Sequence, residues 1–195
     1  MKNLAILISG SGSNLQAIID AVNSGEIHSA KISVVISSNA EAYGLTRAAV
    51  YNIPTVVASI KDFENNVLRD DFIVKTLKLY EIDLVVLAGY LGIVGDEIVN
   101  EYMGRIINIH PSLLPKHGGK GMHGIRVHEA VIASGDKYAG ATVHFVDDGI
   151  DTGKIICQDK IEVLNDDTAE SLQKRVLDEV EHKLIVKGIK ILTDN

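Results

Sequence analysis

Two residues with side chains suited to holding a negatively charged oxygen stand two positions apart in Asn108-Ile109-His110-Pro111-Ser112-Leu113-Leu114-Pro115. On a strand, residues i and i+2 share a face, so the Asn108 amide and the His110 imidazole point the same way. Pro111 forces His110 into an extended conformation, which fixes where its ring points. An amide donor beside an imidazole can stabilise an oxyanion. A lone histidine at a strand end is ordinarily structural; the Asn-x-His-Pro arrangement favours chemistry. Asp147-Asp148-Gly149-Ile150-Asp151-Thr152-Gly153 offers carboxylates in a turn between two strands. Such carboxylates either cap the turn and meet solvent, or orient a histidine and favour its charged form. Both readings stay open on spacing alone. The turn lacks the ligand spacing of a calcium loop.

A third segment, Ser9-Gly10-Ser11-Gly12-Ser13-Asn14, follows an apolar run and precedes a helical pattern. Glycines allow a sharp turn and close approach of a ligand to the backbone, and the helix directs its positive end there, as phosphate sites require. A plain strand-to-helix turn is the alternative. Leu15 occupies the third glycine position of a dinucleotide fingerprint, and a Walker A Gly-Lys-Ser/Thr is missing. Of the other histidines, His28, His117 and His128 are expected at the surface. His144 alternates with Val143 and Phe145 and so faces away from both, toward the site side. No histidine and carboxylate spacing suggests a metal.

The elements that must position these groups follow from hydrophobic periodicity. A buried strand is expected at Leu4–Ile8, and further strands at Ile32–Ile36, Pro54–Ala58 and Leu84–Ala88. Helices are expected at Asn14–Val22, Ala42–Tyr51 and Phe63–Tyr80, the last with Val67, Phe72, Leu77 and Tyr80 in the core. Beyond Ile106–Ile109 come a glycine-rich loop over 117–124, a helix near Val127–Ser134, strands at Ala141–Val146 and Lys154–Val163, and a closing helix from about Thr168 to Leu192. Asp166 or Asp167 is the expected cap of that helix. The βα rhythm predicts an α/β fold: a single-domain, doubly wound, mostly parallel sheet with helices on both faces. Residues 1–105 would form the phosphate-binding half and 106–195 the catalytic half. Four glycines in eight residues make 117–124 a candidate lid.

The chain has 195 residues, a net charge of −7 and one cysteine. The charge disfavours general nucleic-acid binding. A single cysteine excludes an intramolecular disulfide, and Cys157 on a strand reads as a packed thiol. The short apolar run at the start is neither a signal peptide nor a membrane span, so a cytoplasmic protein with small-molecule partners is expected, without membrane or nucleic acid, as monomer or homodimer.

Taken in order, Ser-Gly-Ser-Gly-Ser-Asn-Leu-Gln-Ala-Ile, Asn108-Ile-His-Pro-Ser-Leu-Leu-Pro115 and Gly140-x-Thr-Val-His-Phe-Val-x-Asp-x-Ile-Asp151-x-Gly153 resemble the phosphoribosylglycinamide formyltransferase family, over essentially the whole chain. The resemblance implies formyl transfer from 10-formyltetrahydrofolate, a co-substrate, to the amine of N1-(5-phospho-D-ribosyl)glycinamide, without a metal. It implies Asn108, His110 and Asp151 as the catalytic trio and Gly12, Ser13 and Asn14 as the phosphate loop. The pteridine would lie against Leu91, Gly92, Ile93 and Val94, with Asn108 close by and the 146–151 turn beside it. Glu181, in Glu181-His182-Lys183-Leu184, would stand near the substrate amine. This sequence departs from the family in several places. Gly92 stands where an arginine is frequent, and Asn66 aligns with the arginine for the folate tail, leaving Arg69, one turn on, as its substitute. The loop after Pro115 is longer and richer in glycine, and the Glu181 segment aligns only with a slip of one residue. Other readings are a formyltetrahydrofolate hydrolase, a formyltransferase for another amine, or a silent phosphate-binding α/β module. A hydrolase or a methionyl-tRNA transferase usually carries a further domain.

Overall fold

The computed structural model describes residues 1–194. Seven strands, β1 (Lys2–Ile8), β2 (Ala30–Ser37), β3 (Thr55–Val57), β4 (Leu84–Leu87), β5 (Ile106–His110), β6 (Tyr138–Phe145) and β7 (Ile155–Glu162), form one sheet in the order β3-β2-β1-β4-β5-β6-β7. The first five run parallel, and β6 and β7 are antiparallel additions. The helices are α1 (Ser13–Asn23), α2 (Tyr43–Val50), α3 (Asn66–Leu79), α4 (Asp96–Glu101), α5 (Ile125–Ser134), α6 (Ala169–Val176) and α7 (His182–Thr193).

Alternation along the strands divides the core into two layers. Leu4, Ile6, Ile8, Val86, Ile107, Ile109 and Val143 face α1, α5, α6 and α7. Ala5, Leu7, Val85, Leu87 and Ile106 face α3 and α4. The period of two then puts Asn108 and His110 on the α3/α4 face with Ile106, at the carboxyl end of β5. Strand order reverses at β1, so the loops leaving β1 and β4 diverge around a crevice at the same sheet edge, where doubly wound sheets take their ligands. Here those loops are joined: the Leu91 N–H donates to Ser9 Oγ at 2.8 Å, and Ser9 Oγ lies 2.5 Å from Ser38 Oγ.

Several elements differ from expectation. α3 begins at Asn66, where Asn65 caps it by accepting from the Leu68 N–H, and Ile60–Asp62 is a separate 3-10 turn. Val67 and Phe72 are exposed, while Arg69, Asp70, Ile73, Thr76 and Leu77 are buried. A buried ion pair occupies the face that periodicity assigned to apolar side chains. α4 was not anticipated, and its six residues are too few to display a helical stripe. The cap of α6 is Thr168, in a reciprocal capping box with Ser171. Asp167 instead pairs with Arg175 and accepts from the Leu164 N–H. The closing helix is interrupted by a π turn at Leu177–Glu181.

The glycine loop owes part of its composition to packing. Gly12 is left-handed, with φ 71°, and a Cβ there would lie 2.6 Å from the Gly44 Cα at the start of α2. The Gly44 N–H donates to the Gly10 carbonyl, and Arg47 Nε donates to the Ser11 carbonyl at 2.9 Å. The Gly12→Ala variant should therefore lose roughly 1–3 kcal/mol of stability. Gly10→Ala, with open space around its new methyl group, should stay within about 0.5 kcal/mol of the parent. Denaturant unfolding of the two variants side by side checks the difference; equal stability would remove the packing role of Gly12.

Candidate active site

The antiparallel register of β5 and β6 pairs Asn108 with His144 and His110 with Thr142. Asn108 Nδ2 lies 3.2 Å from His144 Nε2. The other nitrogen of His144, Nδ1, is 2.8 Å from the Phe145 carbonyl, which only accepts, so Nδ1 carries the proton and Nε2 accepts from Asn108. Burial holds the His144 pKa below its ordinary value, against the opposing pull of the Phe145 carbonyl and Asp151, and so favours that neutral tautomer. His144 thereby fixes the plane of the Asn108 amide. A second proton on Nδ2 remains for another acceptor.

Asp151 arrives from the turn between β6 and β7 in a left-handed conformation, φ 58°. Its Oδ2 stands 3.5 Å from His110 Nδ1 and accepts from the Gly119 N–H at 3.0 Å, while Oδ1 stands 3.7 Å from His144 Nε2. His110 is 4% exposed. Its Nε2 donates to the His117 carbonyl at 2.9 Å. The outward-facing donor of the imidazole is thus covered by the chain's own loop. His117 itself is left-handed and half-buried, and its Nε2 bonds Asp136 Oδ2 at 2.8 Å; Lys116 Nζ holds the other oxygen at 2.6 Å. These two contacts keep the Asp136 carboxyl well below the usual carboxylate range. Thr142 pins the turn after β5 by donating to the Ser112 carbonyl and accepting from the Leu114 N–H.

At the β1 loop, helix α1 has no side-chain cap, so its first N–H groups are free of intrahelical partners. The Gly12 and Ser13 backbone stands at that end. Asn14 is different from what its motif suggested: its side chain turns inward, Nδ2 donating to Glu181 Oε2 at 2.9 Å in a buried contact. Glu181 has its pKa raised by burial, offset in part by the Asn14 bond. The π turn that ends at Glu181 accommodates one residue more than an α turn, in the same stretch where the family alignment slips by one. Arg47, which spacing did not single out, brings a cation to the loop and also donates to Gln16 Oε1. Ser9, named as the head of its motif but given no role of its own, joins the β1 and β4 loops.

Two expectations require correction. Arg69 is 3% exposed and committed to Asp70 and the Ile93 carbonyl, so it offers no free charge to a ligand tail. His128, expected at the surface, is 1% exposed with neither ring nitrogen bonded. Its position one residue after buried Val127 and three before buried Val131 places it at the edge of the core face of α5. His28 is exposed. Leu91 and Ile93 hold their side chains in solvent beside this centre. Among the described residues no group of three or more histidines, cysteines and carboxylates is arranged for a metal, and no helix is long and apolar enough to cross a membrane.

Comparison with known proteins shows the family. Residues 2–189 match the formyl transferase family. The chain belongs to that family. A phosphoribosylglycinamide formyltransferase of Haemophilus influenzae is 43% identical over 194 residues, covering 100% of this chain and 88% of that protein. A chloroplastic one of Vigna unguiculata is 42% identical over 99% of this chain, which spans 61% of that relative's length. The crystal structure of glycinamide ribonucleotide transformylase 1 from Symbiobacterium toebii superposes with a TM-score of 0.93 at 39% identity, covering 100% of this chain and 88% of the other.

The buried His128 has a measurable consequence. Burial, and then the neighbouring charge of His110, lower its pKa from 6.5 to about 4. Between those values the unfolded chain binds a proton that the folded chain does not, so stability falls as pH drops through that window, by at most about 1.4 kcal/mol per pH unit. The His128→Leu variant should lose less stability than the parent between pH 7 and pH 5. Denaturant titrations at the two pH values measure it; equal losses would contradict the buried neutral ring.

Proposed function

We propose that this protein transfers the formyl group of 10-formyltetrahydrofolate to the amine of N1-(5-phospho-D-ribosyl)glycinamide, in the cytoplasmic route to purine nucleotides. The observation that carries the reading is the meeting of Asn108, His110 and Asp151 at the carboxyl end of β5. The uncapped start of α1 lies across the strand-order switch from it. The family and its named relatives supply the substrate class.

The ribonucleotide phosphate takes the backbone N–H groups of Gly12, Ser13 and Asn14, with Arg47 close behind. Its binding energy, spent far from the reacting atoms, holds the amine near the formyl carbon. Leu91, Gly92, Ile93 and Val94 receive the pteridine edge. The unprotonated amine attacks the formyl carbon, whose carbonyl oxygen becomes an oxyanion in a tetrahedral intermediate. The free proton on Asn108 Nδ2 and the Nε2–H of His110 donate to that oxygen, each such donor being worth about 3–4 kcal/mol. For His110 to do so, the His117 carbonyl must leave Nε2, so the 117–124 loop shifts off His110 and orders over the bound substrates. Asp151, at 3.5 Å from His110 Nδ1, keeps the imidazole oriented. The attacking nitrogen gives its proton to N10 of the folate, the carbon–N10 bond breaks, and tetrahydrofolate leaves. The route uses no metal and no acyl-enzyme.

Glu181 takes a supporting part near the substrate amine. Its carboxyl, whose pKa burial raises, is oriented by Asn14, the residue whose backbone serves the phosphate.

Mixing the protein with the ribonucleotide and a 10-formyl folate should consume the folate only when the amine is present. Loss without the amine would point to hydrolysis, and absence of folate binding to a silent module. In the active protein, Asp151→Asn should lower kcat by roughly 10²–10³-fold with the ribonucleotide KM little changed. A near-normal kcat would remove Asp151 from the mechanism. In the free protein, limited proteolysis should cut within 120–124, past the anchors at His117 and Gly119, and slow when both substrates or their analogues are bound. Complete protection of the free protein would contradict a moving loop.

A further inference from the structure

Beneath the loop that leaves β4 lies a polar cluster that the catalytic trio does not touch. Arg69 Nε donates to Asp70 Oδ1 at 2.9 Å, and a terminal guanidinium nitrogen reaches both that oxygen and the Ile93 carbonyl at 2.5 Å. The Gly95 N–H supports the Asp70 carboxylate, and a Cβ at residue 95 would overlap Asp70 Oδ2. Both partners are almost wholly buried. At the head of the loop, a Cβ on Gly92 would stand 2.6 Å from the Tyr90 ring and hydroxyl. The loop therefore rests directly on that ring. The Tyr90 hydroxyl is buried without a partner, and burial raises its pKa.

A buried ion pair is a poor source of stability, because desolvation offsets most of its attraction. It can, however, fix a geometry. Above it, Leu91 and Ile93 are 69% and 66% exposed. A backbone that keeps two apolar side chains, one residue apart, in water needs restraint from below, and the restraints are few: the Ile93 carbonyl on Arg69, the Gly95 amide on Asp70, the Gly92 Cα on Tyr90, and the Leu91 amide on Ser9. Arginine suits this task where lysine does not, since its planar fork serves a carboxylate and a carbonyl together.

We infer that Arg69 and Asp70 act together as positioning residues for the folate: turned inward, they hold the Ile93–Gly95 backbone from beneath and set folate affinity without touching the ligand. The inference rests on the reading that residues 91–94 receive the folate. It also accounts for Gly92, since the Tyr90 ring fills the space in which a side chain at that position would begin.

Two variants separate this role from general packing. Arg69→Lys keeps a charge opposite Asp70 but loses the fork. The double variant Arg69→Gln, Asp70→Asn removes both charges and leaves neither one buried alone. Each should raise the KM for 10-formyltetrahydrofolate about tenfold, with kcat and the ribonucleotide KM within about twofold of the parent. The dissociation constant of tetrahydrofolate, measured by equilibrium dialysis, should rise in parallel. If both KM values rise together, or if folate affinity is unchanged in both variants, the positioning role is overturned while the transfer reading stands. If the unaltered protein binds no tetrahydrofolate by dialysis, the transfer reading fails, and this inference with it. Should the double variant not fold, Arg69→Lys decides the matter alone.

Discussion

Everything at the centre of this molecule is tied to one carboxylate. Asp151 is reached by an imidazole from β5, an imidazole from β6 and a backbone amide from the 117–124 loop. Burying a carboxylate is costly unless hydrogen bonds replace its water, and at 12% side-chain exposure Asp151 depends on the Gly119 N–H and the His110 ring. Its left-handed backbone is a cost that a non-glycine residue bears only where the surroundings impose it. Those surroundings are the antiparallel joint of β5 with β6 and the turn into β7. Remove the carboxylate, and the His110 ring loses the partner at its Nδ1, while His144 keeps the Asn108 amide and the Phe145 carbonyl.

The direction of the sheet matters as much as its order. Were β6 parallel to β5, its approach to the site would need a long crossover, and the turn carrying Asp151 would fall at the opposite edge. By running antiparallel, β6 brings His144 opposite Asn108 and then delivers the following turn beside His110. The parallel half contributes differently: β1 and β4 send their loops outward from the switch in strand order, and the Ser9 hydroxyl joins them. Two unlike halves of one sheet thus face a common crevice, one with free helix-end amides and the other with imidazoles and an amide side chain.

Much of this was legible in the sequence, for physical reasons that can be named. Buried parallel strands are short unbroken apolar runs, and glycines mark where they stop, so β1, β2, β4 and their turns were readable. The shared face of Asn108 and His110 follows from the period of a strand, and the alternation of His144 with Val143 and Phe145 turned it toward the same side. α3 was misread inside its boundaries, because its inner face holds Arg69, Asp70 and Thr76 while Val67 and Phe72 look outward. Periodicity assumes that apolar means inside; an ion pair serving a neighbouring loop breaks that assumption without leaving a local trace. His128 was misplaced for a related reason. Nothing in residue type distinguishes a ring that meets solvent from one enclosed at the edge of a helix's core face. The inward turn of Asn14 could not be foreseen either, since its partner Glu181 is separated from it by nearly the whole chain.

The wide turn at Leu177–Glu181 lets one helix keep two different appointments. Leu172 and Val176 before it, and Leu184, Ile185 and Ile189 after it, all lie against the sheet. An unbroken α-helix carrying the same residues would arrive at its second half rotated by about 100° for the one residue absorbed. The extra residue resets the phase. The apolar stripe is recovered on the far side, and at the point of adjustment an acidic side chain is delivered to the foot of α1. The last helix of the chain and the first are therefore geared to each other through Asn14 and Glu181. The β1 loop thus rests on a contact between residues 167 positions apart, so a change in the packing of α7 reaches the foot of α1 through a single hydrogen bond.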